Sequence, residues 1–338
     1  MLFIRAATVL LATLWGTAAM AQTPLRSVTL EGHASAPGQS WHPRLQLFEQ
    51  AEGRANRKRP VLYVHGATFA SENAVFFRFA GHSWADALND AGFSVWGLDF
   101  AGYGRSEIYP AMRQATPPEG EPLGRTPDAA AQIERAVRAI IAETGAEKVS
   151  IIAHSWGTMP AGRFAGEHPE WVERLVLFGP VVRRETLGGV PQLGPWRFLT
   201  VEAQKRRFVE DVPAGVPAVL AEADFPAWAA LYLRLDPTSA ARTPPSVRTP
   251  NGPLADIMAA WSGQLAYDPG RIQAPTLIVR GAWDSLCGDA DAAWLRQALT
   301  HARQVSDVKV PHATHLMHLE TGRAALHAAV NDFLKAKD

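Results

Sequence analysis

From Pro60 onward, short apolar runs alternate with longer amphipathic stretches, and no other feature constrains the fold of this chain as tightly. The runs are Pro60–His65, Phe93–Phe100, Val149–Ala153, Leu175–Phe178 and Pro275–Arg280, and a last, more polar strand is expected over Arg303–Val310. Short apolar runs bounded by turn residues read as strands buried on both faces. Between them lie segments with helical periodicity. In the clearest, Ile133, Val137, Ile140 and Ile141 share one face. Thr126 can cap that helix, Pro127 suits its first position, Asp128 favours the positive end of its dipole, and Gly145 ends it. Further helices are expected over Phe76–Ala91, from Ser155 to about Glu167, over Asp289–Leu299 and over Thr321–Lys335. Strands alternating with helices imply an α/β fold, a mostly parallel central sheet flanked by helices. Ser27–Glu31 and Arg44–Gln50 read as early strands able to form an antiparallel edge.

One connection is too long. After Phe178 the next comparable strand begins at Pro275, about a hundred residues on, where a crossover needs only about a dozen. The excess is an insertion with helical stretches near Trp196–Val212, Pro226–Asp236 and Leu254–Leu265. It reads as a mostly helical cap over residues 181–265, set on a core of residues 22–180 and 266–338. Trp196, Phe198, Phe225, Trp228 and Trp261 point to an apolar cap interior that packs on the core or lines a pocket for the apolar part of a substrate. Arg183-Arg184 and Lys205-Arg206-Arg207 read first as a solvated helix face and second as contacts to an anionic substrate.

The N-terminus reads as a signal peptide over residues 1–21. Arg5 precedes the apolar run Ala6–Trp15, and Ala19-Met20-Ala21 is a small-x-small cleavage pattern. The run is short for a bilayer, so no stable membrane span is expected after processing. The mature chain then begins near Gln22, in the periplasm or the medium. Cys287 is the only cysteine, so no internal disulfide is available, and it reads as a buried small apolar residue. Formal net charge is zero, which leaves no electrostatic footprint for nucleic acid.

The chemistry centres on Ile151-Ile152-Ala153-His154-Ser155-Trp156-Gly157. A serine hydroxyl is a weak nucleophile until a base takes its proton, and it must stand clear of neighbouring side chains. A strained strand-to-helix turn provides that exposure and tolerates only small residues beside the serine. Here Ala153 replaces the first glycine of the usual G-x-S-x-G pattern, a difference of one methyl, while Gly157 is present.

With this turn the chain resembles the α/β-hydrolase superfamily over nearly its whole mature length. The resemblance extends to His65-Gly66, to Asp99-Phe100-Ala101-Gly102-Tyr103-Gly104-Arg105-Ser106, to Gly281-Ala282-Trp283-Asp284 and to His315. The superfamily order of nucleophile, acid and histidine implies Ser155, Asp284 and His315 as the catalytic triad. Pro311-His312-Ala313-Thr314-His315-Leu316-Met317-His318 offers three histidines, and the resemblance selects His315. A metal site is the competing reading of that cluster, but the sequence places no further Cys, Asp or Glu ligands beside it. Asp99 matches a position that supports the turn rather than the triad. The oxyanion donors implied are the backbone N–H groups of Ala67 and Trp156, with Thr68 as an alternative.

The expected activity is hydrolysis of an ester or related acyl bond of a small molecule through an acyl-enzyme, with no metal or organic cofactor. A serine nucleophile argues against haloalkane dehalogenase or epoxide hydrolase chemistry, which in this superfamily uses aspartate. Proline iminopeptidases are a closer match, but they carry a run rich in glycine and proline where this chain has Ala67-Thr68-Phe69. Lactonase, carbon–carbon bond hydrolase and cofactor-free perhydrolase activities stay open. So does a non-catalytic binding protein on the same fold.

Overall fold

The computed structural model describes residues 25–32, 41–189 and 191–336, so the leader expected over residues 1–21 lies outside the described residues. In chain order the strands are β1 (Arg26–Leu30), β2 (Leu45–Gln50), β3 (Asn56–Val64), β4 (Phe93–Asp99), β5 (Val149–His154), β6 (Val172–Phe178), β7 (Trp196–Thr200), β8 (Ser246–Pro250), β9 (Thr276–Gly281) and β10 (Val305–Val310). All but β7 and β8 join one sheet, in the order β1-β2-β4-β3-β5-β6-β9-β10. As expected, β1 and β2 form an antiparallel edge, and the strands from β4 to β10 pair in parallel.

The helices are α1 (Trp84–Asp90), α2 (Thr126–Thr144), α3 (Thr158–Glu167), α4 (Val201–Val209), α5 (Phe225–Arg234), α6 (Gly252–Trp261), α7 (Asp289–Ala298) and α8 (Ala324–Lys335). The pleat of β3 explains the two layers they form. Leu62 and Val64 point into one core with Ile133, Val137, Met159 and Leu295, from α2, α3 and α7. Val61 and Tyr63 point into the opposite core with Trp84, Leu88, Leu326 and Val330, from α1 and α8.

Two helix starts differ from expectation. The segment Phe76–Ser83 is not helical, and α1 begins only at Trp84. Ala80 and Gly81 have φ of 51° and 79°, which breaks any helix before them, while Ser83 and Asp86 form a reciprocal capping box. At α2, Thr126 lies inside the helix and Arg125 holds the cap position without a side-chain cap. The missing acceptor comes from the insertion: the Asp256 carboxylate of α6 accepts Thr126 N–H and Thr126 Oγ1, both at 2.7 Å.

The insertion between β6 and β9 is also less helical than expected. The stretch read as one helix from Trp196 splits into β7 and α4, and β7 pairs antiparallel with β8. Phe69 of the core meets Phe208 and Trp228 edge-on, and Trp228 Nε1 donates to the Asn73 carbonyl at 2.8 Å. The insertion leaves and re-enters the core at one place. Arg184 N–H donates to Ala260 O at 3.0 Å and Thr186 N–H to Trp261 O at 2.9 Å.

Candidate active site

Strand β5 carries His154 to the end of the sheet, and the chain turns there at Ser155 with φ of 56°. A non-glycine residue in this left-handed region costs on the order of 1–3 kcal/mol and persists only where its surroundings impose it. Here the buried strand before it and α3 after it do so. A Cβ on Gly157 would lie 2.4 Å from the His65 carbonyl oxygen, so glycine is required by the close approach of β3 to the turn. Ala153 is fully buried and fits in place of the usual glycine. A Cβ built on Gly66 would lie 3.1 Å from the Ser155 Cβ, so the loop after β3 passes directly beside the serine.

Asp284 follows β9 and His315 follows β10. His315 Nδ1 lies 2.9 Å and 3.1 Å from the two Asp284 carboxylate oxygens. A carboxylate only accepts, so Nδ1 carries the proton and donates. The Asp284 carboxylate also accepts the N–H groups of Leu286 at 2.9 Å and Cys287 at 3.0 Å. Burial pushes the Asp284 carboxyl up, but the facing His315 and these donors outweigh it and hold the group below its ordinary value. Ser155, Asp284 and His315 are all buried. The remaining ring nitrogen, Nε2 of His315, is buried and has no hydrogen-bond partner among the described residues. The ring packs tightly against the end of β6, where a Cβ on Gly179 would come within 2.9 Å of it.

His154 couples the serine turn to the histidine loop: its Nε2 lies 3.1 Å from the His315 carbonyl oxygen, and the two rings are 5.0 Å apart. Burial, reinforced by His318 and His315, holds His154 well below its ordinary value. Burial likewise takes His318 down to about 3. His318 stacks on Phe69, and His312 meets Trp283 edge-on. Only His315 of the three in its segment pairs with a carboxylate, among the described residues. No group of three or more potential metal ligands occurs among the described residues.

The loop after His65 is fixed by side chains on both sides. Tyr103 Oη donates to the Ala67 carbonyl at 2.6 Å. Thr68 Oγ1 donates to Gln204 at 3.2 Å and accepts from Arg207 at 3.2 Å, both from α4. The Trp156 indole is buried against Phe100 and donates through Nε1 to Asp256 at 3.1 Å, so its side chain is a packing element. The Asp99 carboxylate accepts Ser71 N–H and Arg105 N–H, each at 3.0 Å, and ties the loops after β3 and β4 together. Burial raises its carboxyl to about 7 against the pull of those donors. Cys287 is buried, which raises its thiol.

Asp256 is the residue that sequence reasoning missed. It is the only charged residue in α6, an otherwise apolar helix, and that isolation was the available signal. Its carboxylate joins Thr126, Trp156 and Arg125, so the insertion braces the residue next to Ser155.

Comparison with known proteins agrees with this architecture. A family model described as the alpha/beta hydrolase fold matches residues 59–321. A proline iminopeptidase of Neisseria meningitidis serogroup A is 29% identical over 304 residues, covering 81% of this chain and 88% of its own. A proline iminopeptidase of Neisseria gonorrhoeae is 28% identical over the same length and coverage. Among solved structures, a serine hydrolase involved in carbazole degradation superimposes with a TM-score of 0.57 at 18% identity, covering 93% of this chain and 100% of its own. E-2-(acetamidomethylene)succinate hydrolase does so with a TM-score of 0.56 at 17% identity, covering 93% and 100%. At such identities these two structures support the fold alone.

Proposed function

The chain belongs to the alpha/beta hydrolase family, and from that premise we propose that it is a serine hydrolase cleaving a carboxylic ester through an acyl-enzyme. One observation carries this reading: Asp284 fixes the tautomer of His315, which leaves Nε2 as an unshared acceptor in a buried site beside the Ser155 turn. His315 Nε2 takes the proton as Ser155 Oγ attacks the ester carbonyl, then gives it to the departing alkoxide. Water releases the acid by the same relay in reverse. The developing oxyanion is held by the N–H groups of Ala67 and Trp156. Ionised Asp284 stabilises the imidazolium, and neutral His154 and His318 add no opposing charge. No direct hydrogen bond joins Ser155 Oγ to His315 Nε2 in the free protein, as in many sites where such contacts tighten once substrate is bound.

The similarity to proline iminopeptidases favours a second reading, release of an N-terminal proline. That reaction must hold a protonated amine. The groups that the insertion presents to the loop after His65 are Gln204 and the cationic Arg207, and a guanidinium repels an ammonium. The ester reading therefore stands first. A panel of p-nitrophenyl esters and prolyl arylamides separates the two. Fluorophosphonate labelling of the wild type, absent in Ser155→Ala, tests the nucleophile, and equal labelling of a folded Ser155→Ala protein overturns it.

Export is proposed on the leader pattern of residues 1–21. Mass measurement of the protein recovered from the periplasm tests it, with a chain starting near Gln22 as the expected result. No helix among the described residues is long and apolar enough to cross a membrane.

A further inference from the structure

The arginines of the insertion fall into three groups. Arg184, Arg242 and Arg248 are paired with carboxylates. Arg183, Arg206 and Arg234 are exposed, and Arg183 also pairs with Glu185. Arg197 and Arg207 are neither: both are half-buried, and neither has a carboxylate partner among the described residues. Each guanidinium has a single neutral acceptor, Asn251 Oδ1 for Arg197 and Thr68 Oγ1 for Arg207. Glu210 and Asp211 act on Arg207 through space but form no ion pair with it.

A cation withdrawn from water without a counter-ion is costly. Burial depresses both guanidinium groups, and the charge of Arg207 further depresses Arg197. The fold thus brings two like charges together and leaves most of their forked donors without an acceptor among the described residues. Such forks match the oxygen pairs of a carboxylate or phosphate.

Their position is specific. Arg207 holds Thr68, the residue after Ala67, and Thr68 is two residues from Gly66 beside Ser155. Two Cα–Cα steps span at most about 7.6 Å. The Arg207 charge is also felt at His154, the residue before Ser155. Arg197 lies close enough to Tyr103, which holds the Ala67 carbonyl, to act on its hydroxyl.

Resting on the serine-hydrolase reading of the site, we propose that Arg197 and Arg207 form an anion-binding subsite, and that the preferred substrate is an ester carrying an anionic oxygen group a few bonds from the scissile carbonyl. The apolar wall supplied by Phe69, Phe208 and Trp228 packs the segment between the two ends.

The test compares p-nitrophenyl hemiglutarate with p-nitrophenyl valerate, which share chain length and differ in a terminal carboxylate. The wild type is expected to favour the hemiglutarate in kcat/KM by about tenfold, the scale of a charge-assisted hydrogen bond. In Arg197→Gln and Arg207→Gln that ratio falls about tenfold whatever the absolute rates, and Arg207→Lys restores part of it. A wild type that favours the valerate, or a ratio unchanged within twofold in both glutamine variants, overturns the subsite. Phosphate and glutarate as competitive inhibitors tell the two anion classes apart: the stronger one names the group. If neither ester turns over and no fluorophosphonate label attaches, the hydrolase reading fails by itself. Calorimetry of glutarate and phosphate with wild type and Arg207→Gln then decides the subsite: binding lost in the variant upholds it, and equal or absent binding overturns it.

Discussion

Replacing Asp256 with alanine tests whether the insertion braces the turn at Ser155. The side chain is 1% exposed and serves Thr126 N–H, Thr126 Oγ1, Trp156 Nε1 and Arg125. Alanine removes the external cap of α2, a loss of about 1 kcal/mol. It leaves the buried Trp156 N–H unsatisfied, which costs about 1–3 kcal/mol. Arg125 returns to solvent, and because its side chain is already partly exposed that contact contributes at most about 1 kcal/mol. The expected loss is therefore about 2–5 kcal/mol, read as a lower urea midpoint at unchanged m-value. Asn at the same position keeps one acceptor oxygen and is expected to lose about half as much. A double-mutant cycle with Trp156→Phe isolates the indole contact, with an expected coupling of about 1 kcal/mol. Fluorophosphonate labelling slows in Asp256→Ala if the Trp156 main-chain N–H drifts from the position proposed for the oxyanion. A stability loss below about 1 kcal/mol refutes the reasoning, because it means that water replaces the carboxylate at every partner.

Three further outcomes follow from the same geometry. Ser155→Ala is expected to abolish ester turnover, by about 10⁴-fold or more, while stability changes by less than about 1 kcal/mol in urea titration. Asp284→Asn should lower kcat about 10⁴-fold at a similar KM, because an amide permits the wrong tautomer of His315. Stability should rise between about pH 3 and pH 6.5, since burial holds His65 to about 4 and His318 and His327 to about 3, below their unfolded 6.5. Over that window the folded chain binds fewer protons at these sites than the unfolded chain, so the slope is positive. Asp99 acts with the opposite sign: its carboxyl, raised from 3.8 to about 7, binds more protons folded than unfolded. Asp99→Asn should therefore steepen the rise, as thermal melts across the pH series report, and a shallower rise contradicts the sign.

Much of the fold was legible because its signals are local. Apolar runs and glycine stops placed the sheet strands within a few residues, and the order of Ser155, Asp284 and His315 marked the candidate site. Asp284 and His315 meet as that order implied. The errors arose where distant residues decide local structure. Phe76, Phe77 and Phe79 have helix-compatible spacing, yet all three are drawn into the core around α1 and α5, and the turn at Ala80-Gly81 ends the pattern. Trp196–Thr200 is extended only because Ser246–Pro250 lies beside it. Thr126 cedes its capping role to a carboxylate 130 positions away. In the basic run Lys205-Arg206-Arg207 one residue pairs with Glu222, one is exposed and one is withdrawn beneath the insertion, a distinction that composition cannot register.

The crossing of Arg184–Thr186 with Ala260–Trp261 makes the insertion a drawstring pouch, its mouth cinched by a few main-chain bonds. A cassette closed in this way is expected to be exchangeable without disturbing the strand register beneath it, since β6 and β9 pair directly with each other. The seam for such a graft lies before Gly252, not at the mouth, because the last helix of the pouch is stitched to the Ser155–Trp156 turn through Asp256. A chimaera joined between β7 and β8 would inherit a new pouch lining. One joined at the mouth would lose the stitch along with the old lining.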